Sequence, residues 1–151
     1  YSEEDISRLV YFYSHHYGRP ELGIEASKPF VVKSEYLARF DERYGQLDRE
    51  EGFKLMRRDL TERGLSVPPL YKHYMEAADP EGVHVGAFNV DPAFSDCVDG
   101  FVLVDLRQLK PRKQKRYLGK EDIFSGTTAT GGDGPLQNGV DFGRTHGQHA
   151  L

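Results

Sequence analysis

The sequence predicts a mixed α/β (α+β) domain in which helices come first and strands follow. Three observations carry this. Four segments between residues 2 and 79 repeat apolar residues at the helical period and are bounded by caps or glycines. Two later runs, GVHVGAFNV and FVLVDL, have strand character. From Ser125 onward neither period survives.

Ser2 is placed to cap the first helix, with Glu3, Glu4 and Asp5 at the positive end of its dipole. Ser2 and Asp5 approximate a capping box. Ile6, Leu9, Val10, Tyr13 and Tyr17 form one stripe, and Gly18 with Pro20 ends it. His15 and His16 fall in the last turn, where cations meet the negative end of the dipole. ELGIEASKPFVVK is a connection, extended at Lys28-Pro29. Tyr36, Leu37, Phe40 and Tyr44 mark a second helix that Gly45 stops. Phe53, Met56 and Leu60 mark a third, capped by Asp48 and stopped by Gly64. SVPPLYKHYMEAA reads as a short helix burying Leu70, Tyr71, Tyr74, Met75 and Ala78. After the turn at Asp79–Gly82, Val83, Val85 and Ala87 alternate against His84, Gly86 and Phe88. FVLVDL is a continuous apolar run and reads as a strand buried on both faces. Pro111 opens a last short helix, PRKQKRYLG.

This gives one domain over residues 1–124 and a tail over 125–151. The tail has 7 Gly in 27 residues, and its composition predicts disorder. With 38% hydrophobic and 29% charged residues, the composition is that of an ordinary globular chain. A net charge of −4 argues against a nucleic-acid polycation, and no apolar run reaches the length of a membrane span. The single cysteine, Cys97, excludes an internal disulfide and fits a reducing, cytoplasmic setting. It reads either as a small buried hydrophobe or as a nucleophile.

Metal, nucleotide and serine-hydrolase signatures are missing: there is no calcium-loop order, HExxH, phosphate-binding GxxxxGK[ST] or GxSxG. Two features remain. Seven Lys or Arg fall among the fourteen residues from Arg107 to Lys120, including Lys110, Arg112, Lys113 and Arg116. They read as a solvated helix end, or as a contact for an anionic lipid surface or an acidic carrier protein. The second is the acidic connection between the strands, with Asp91, Asp96 and Asp99. Asp, Pro and Gly there have turn chemistry. Lys72, His73, Tyr74, Asn89, Asp91 and Asp99 also fall on a helix and on strand ends expected to be neighbours, where ligand sites gather.

PPLYKHY (Pro68, Pro69, Leu70, Lys72, Tyr74), FNVDPAF (Phe88 to Phe94), DGFVLVDL (Asp99 to Leu106) and RYLGKE (Arg116 to Glu121) occur in an order that resembles bacterial hemolysin-like proteins related to ornithine-lipid acyltransferases. The opening helix resembles the one that follows a central strand in that family. The resemblance covers residues 1–121 and is weak over 25–64.

It implies the C-terminal half of a GNAT-like fold, a mixed twisted sheet flanked by helices. The thioester-binding half would lie upstream or on a partner acyltransferase domain. The implied activity is transfer of a fatty acyl group from acyl carrier protein, or CoA, to an amine such as that of ornithine, in membrane lipid synthesis. No bound cofactor is expected; the acyl thioester is a co-substrate. On this reading Ser7 or Tyr11 protonates the leaving thiolate. Asp91 and Asp99, with Tyr74 and Asn89, hold the amino acceptor, and Lys72 holds its carboxylate or a carrier phosphate. Arg107, Lys110, Arg112, Lys113 and Arg116 meet the carrier or the inner membrane surface. The alternative is a non-catalytic half-domain that binds such a surface through the basic run.

Overall fold

A computed structural model describes residues 1–119. The tail from Ser125 and the Lys120–Glu121 end of RYLGKE lie outside the described residues. Among the described residues the chain forms α1 (Glu3–Tyr17), α2 (Ser34–Tyr44), α3 (Arg49–Glu62), α4 (Pro69–Met75), β1 (Val83–Asp91), β2 (Cys97–Val104) and α5 (Pro111–Leu118). The architecture is α+β, with β1 and β2 forming a two-stranded antiparallel sheet.

Local sequence explains the helix boundaries. Ser2 accepts from the Asp5 N–H, and the Asp5 carboxylate accepts from the Ser2 N–H at 2.9 Å, completing the capping box. Asp48 accepts from the Glu51 N–H at 2.8 Å at the start of α3. At the end of α3, Gly64 takes φ +73°, and the N–H groups of Gly64 and Leu65 reach back to Thr61 and Leu60. That left-handed stop favours glycine.

α1 is the central helix and packs against α2, α3 and β1. Leu9, Phe12 and Tyr13 have no exposed surface and meet Phe40 and Tyr44 of α2, Met56 and Leu60 of α3, and Val85, Phe88 and Val98 of the sheet. Burying each such side chain contributes about 1.5–3 kcal/mol. Inside the three-helix layer lies a charged network. Asp59, 6% exposed, accepts from Arg43 at 2.6 and 2.5 Å, from Arg8 at 3.1 Å and from the Tyr44 hydroxyl. A smaller cluster of Ala77, Ala78, Val83 and Leu109 ties the chain before β1 to the chain after β2. There the Asp79 N–H donates to Gln108 O at 3.0 Å, and the Lys110 N–H to Ala77 O at 3.2 Å.

Several expectations need correction. β2 begins at Cys97, not Phe101, so Asp99 lies on a strand and the connection shrinks to 92–96. That connection is a 3₁₀ turn, Pro92–Phe94, followed by Ser95 and Asp96, both at φ 56°. The alternation along β1 breaks at a bulge between Val85 and Phe88, so Phe88 turns inward to 5% exposure. FVLVDL is not buried on both faces: Phe101 is 51% and Leu103 39% exposed, because the described helices cover one side only. In α4, Tyr71 is buried while Leu70 is 40% exposed, and Ala78 is buried beyond the helix end. Leu37 of α2 is also exposed.

His16 does not serve as a dipole-facing cation. Desolvation, then repulsion from His15 and Arg49, lowers its pKa to about 4 and holds it neutral. No helix of the described residues is long and apolar enough to cross a membrane.

Candidate functional site

The sheet has two chemically different faces. Phe88, Val98 and Val85 point to the helices, so alternation places Asn89, Asp91, Cys97, Asp99, Phe101 and Leu103 on the other face. The connection ahead of α2 closes part of that face. The Phe30 N–H donates to Phe88 O at 2.9 Å, and the Val90 N–H to Lys28 O at 2.8 Å, so residues 28–30 run along the β1 edge. Between this connection and the sheet lies a recess of about 220 Å³, lined by Glu25, Asn89, Asp99 and Phe101 among others. A second recess of about 370 Å³ shares Ile24, Glu25 and Ala87 with it and reaches Val10 and Ser14 of α1.

Each polar residue there has a distinct role. Asn89 pins the connection: its Oδ1 accepts from the Lys28 N–H at 2.9 Å and from Ser27 Oγ at 3.3 Å. Asp91 holds the turn, accepting from the Ala93 N–H at 2.8 Å, as an Asx cap does. Asp99 pairs with Asn89 across the strands, and no cation pairs with it among the described residues. Desolvation, and then the neighbouring charge of Asp91, raises its carboxyl above the usual range. A bound cation would act against both by favouring the ionised form. Glu25 supplies a second carboxylate to the same recess. Sequence reasoning passed over it because it sits in a connection with no period, and only the β1-edge pairing brings it to the sheet.

The other site residues lie elsewhere. Lys72 of α4 lines a groove between α1, α3 and α4. Tyr74 is half-buried in α4, and His73 shares a hydrogen bond with the Tyr117 hydroxyl. From α4, Tyr71 reaches the strands: it stacks on Phe88 at 6.4 Å with its hydroxyl under Gly100. Lys72 of the expected cluster therefore lines a different recess from Asn89 and Asp99.

Neither Ser7 nor Tyr11 lines the recess. Ser7 is 1% exposed and its hydroxyl has no partner. The Tyr11 hydroxyl donates to Asp41 at 3.0 Å, and its ring stacks on His15 at 5.5 Å. Burial and Asp41 push its pKa up to about 12.

In the basic run, Arg107 is neutralised by Asp105, with Nη2 to Oδ2 at 2.6 Å. Hydrogen bonds from Arg107 hold the Asp105 carboxyl well below the usual range. Arg112 and Arg116 are exposed on α5, Arg116 lying 5.8 Å from the Tyr117 ring centre; Lys110 is exposed at its start and Lys113 half-buried within it. Cys97 is half-buried on the strand face of Asp91. No group of three or more His, Cys, Asp or Glu that could hold a metal occurs among the described residues.

An α+β domain with a carboxylate-lined recess on its sheet is the class that fold and site define. Comparison of the chain with family models, curated proteins and solved structures returned no match.

Proposed function

We propose that the chain is the acceptor-side part of a GNAT-like N-acyltransferase that takes a fatty acyl group from an acyl carrier protein or CoA thioester. Two things support this: the ordered motifs from PPLYKHY to RYLGKE, and the recess lined by Asp99 and Glu25, neither of which is in an ion pair among the described residues. The second carries the reading. Two carboxylates in a partly shielded recess favour an ammonium group through charge-assisted hydrogen bonds. A carboxylate of raised pKa is also suited to take the proton that an amine sheds before attack. The amine nitrogen then bonds to the thioester carbonyl carbon, the C–S bond breaks, and the thiolate leaves and is protonated. Asp91 and Asn89 hold the recess together rather than contacting the amine. The thioester comes from elements beyond the described residues, and exposed α5 offers its basic side chains to an acidic carrier.

The test has two parts. Ornithine titrated into the chain should shift the amide signals of Ala87, Asp99 and Gly100, and Asp99→Asn with Glu25→Gln should abolish those shifts. In the longest form of the protein available, the same pair should lower acyl-ornithine formation from acyl-carrier protein by at least tenfold. Unchanged acylation would refute the reading.

A second reading rests on the exposed placement of Lys110, Arg112 and Arg116 around α5: a non-catalytic module that docks on an anionic membrane. Sedimentation with phosphatidylglycerol vesicles that is lost when these three become Gln, beside an absence of acyl transfer, would favour it.

A further inference from the structure

A mainly apolar groove lies on the helical side, away from the sheet recess and its carboxylates. It holds about 450 Å³, a size that suits a small organic ligand. Phe53 of α3, Met75 of α4 and Tyr17 of α1 supply its walls. Three donor residues line it: Tyr13, Lys72 and Arg49, whose Nη2 lies 3.6 Å from Glu81 while its Nε is left over. Tyr13 has no exposed surface, yet it lines the groove and its hydroxyl has no hydrogen-bond partner. Arg49 lies 4.8 Å from the Tyr17 ring centre, and its buried Nε is also unpartnered. Lys72 lies in no ion pair among the described residues.

A buried hydroxyl left without a partner is costly, and so is a buried guanidinium N–H. An arginine edge, an ammonium and a phenol around one apolar groove call for a planar acceptor on an apolar body. The acids nearby, among them Glu81 at 3.6 Å from Arg49, sharpen the choice. Asp48 is committed to the α3 cap and Glu50 to Lys54 at 2.6 Å, while Glu76 lies near Lys72. These negative charges disfavour a phosphate dianion and tolerate a monoanion.

We propose that this groove binds a small monocarboxylate with an apolar tail, its carboxylate held by Tyr13, Arg49 and Lys72 and its tail against Phe53 and Met75. The site stands whether or not the protein transfers acyl groups.

Octanoate, 1-octanol and octylammonium, each titrated into the full chain and followed by two-dimensional NMR, test it. Octanoate should bind most tightly, by at least fivefold over the alcohol, with shifts centred on Phe53 and Met75. Tyr13→Phe removes only a partnerless hydroxyl; it should melt no lower than the parent and weaken octanoate binding about fivefold, the size of one net hydrogen bond. Lys72→Gln, at an exposed position, should weaken octanoate binding by a similar factor and leave octanol unchanged. Octanol or octylammonium binding as tightly as octanoate would overturn the proposal. So would wild-type octanoate affinity in both variants.

Discussion

Replacing Asp59 by Asn tests how the helical layer is held together. The carboxylate is 6% exposed and accepts from Arg8, Arg43 and Tyr44. Burial alone would raise its pKa, but hydrogen bonds from Arg43 and Tyr44 and the charges of both arginines outweigh that and leave it lowered. Asn removes the charge and turns an N–H₂ toward the same donors. Arg8, itself 6% exposed, then keeps Glu4 at 3.2 Å as its one acidic partner, beside the Tyr44 hydroxyl.

Breaking a buried pair by deleting one partner costs about 3–5 kcal/mol. At roughly 2–4 °C per kcal/mol for a chain of this size, the midpoint should fall by about 10 °C. Arg43→Gln is the control: its side chain is 45% exposed, so its loss should cost about 1 kcal/mol. Urea and thermal unfolding followed by circular dichroism measure both. A loss for Asp59→Asn below about 0.5 kcal/mol, the range of ordinary surface changes, would refute the reasoning. The same network sets the acid limit. A carboxyl held below 3.8 in the folded state contributes fully above that value, and its contribution fades as pH falls through the lowered pKa. Wild-type stability should therefore drop below about pH 4, and Asp59→Asn should flatten that drop.

Other perturbations have equally definite outcomes. His16 should titrate by NMR near 4. Because its unfolded value is 6.5, its contribution to stability is whole above 6.5 and declines toward pH 4, so His16→Leu should gain on wild type at pH 5 relative to pH 7.5, by at most about 3 kcal/mol. Gly100→Ala places a Cβ 2.2 Å from the Tyr71 hydroxyl and should cost about 1–3 kcal/mol. Tyr71→Phe removes a hydroxyl that has no partner, so it should be neutral or stabilising alone and should restore most of the Gly100→Ala loss; additive losses in a double-mutant cycle would count against the contact. Gly64→Ala, at φ +73°, should cost about 1 kcal/mol by urea melt.

What could be read from the sequence was local. Ser2 with Asp5, Asp48 and Gly64 announce helix ends because each cap is satisfied within a few residues. The stripe of Ile6, Leu9, Val10, Tyr13 and Tyr17 showed only part of α1's burial: Ser7 to Tyr13 are all buried, because α2, α3 and the sheet surround the helix. The bulge in β1 was invisible because one inserted residue leaves no compositional mark, and it reversed Phe88 and Ala87. The Arg8–Asp59 pair spans 51 positions, so nothing nearby in the sequence announces it. The acidic recess was half legible. Asp99 drew attention by its company, but the roles of Asn89 and Asp91 depend on which backbone N–H each meets, and Glu25 depends on a strand edge pairing 60-odd residues away.

That pairing has a directional consequence. Residues 28–30 and the Arg19 N–H, which donates to Val85 O at 3.3 Å, already occupy the outer side of β1. Among the described residues nothing comparable lies along Cys97–Val104. Any further strand, from another part of the protein, a partner or a second copy, therefore has one berth: beside β2, where Phe101 and Leu103 are exposed. The sheet can grow in one direction only, and a proline placed at Val102 would discriminate edge-to-edge association from every other kind of contact.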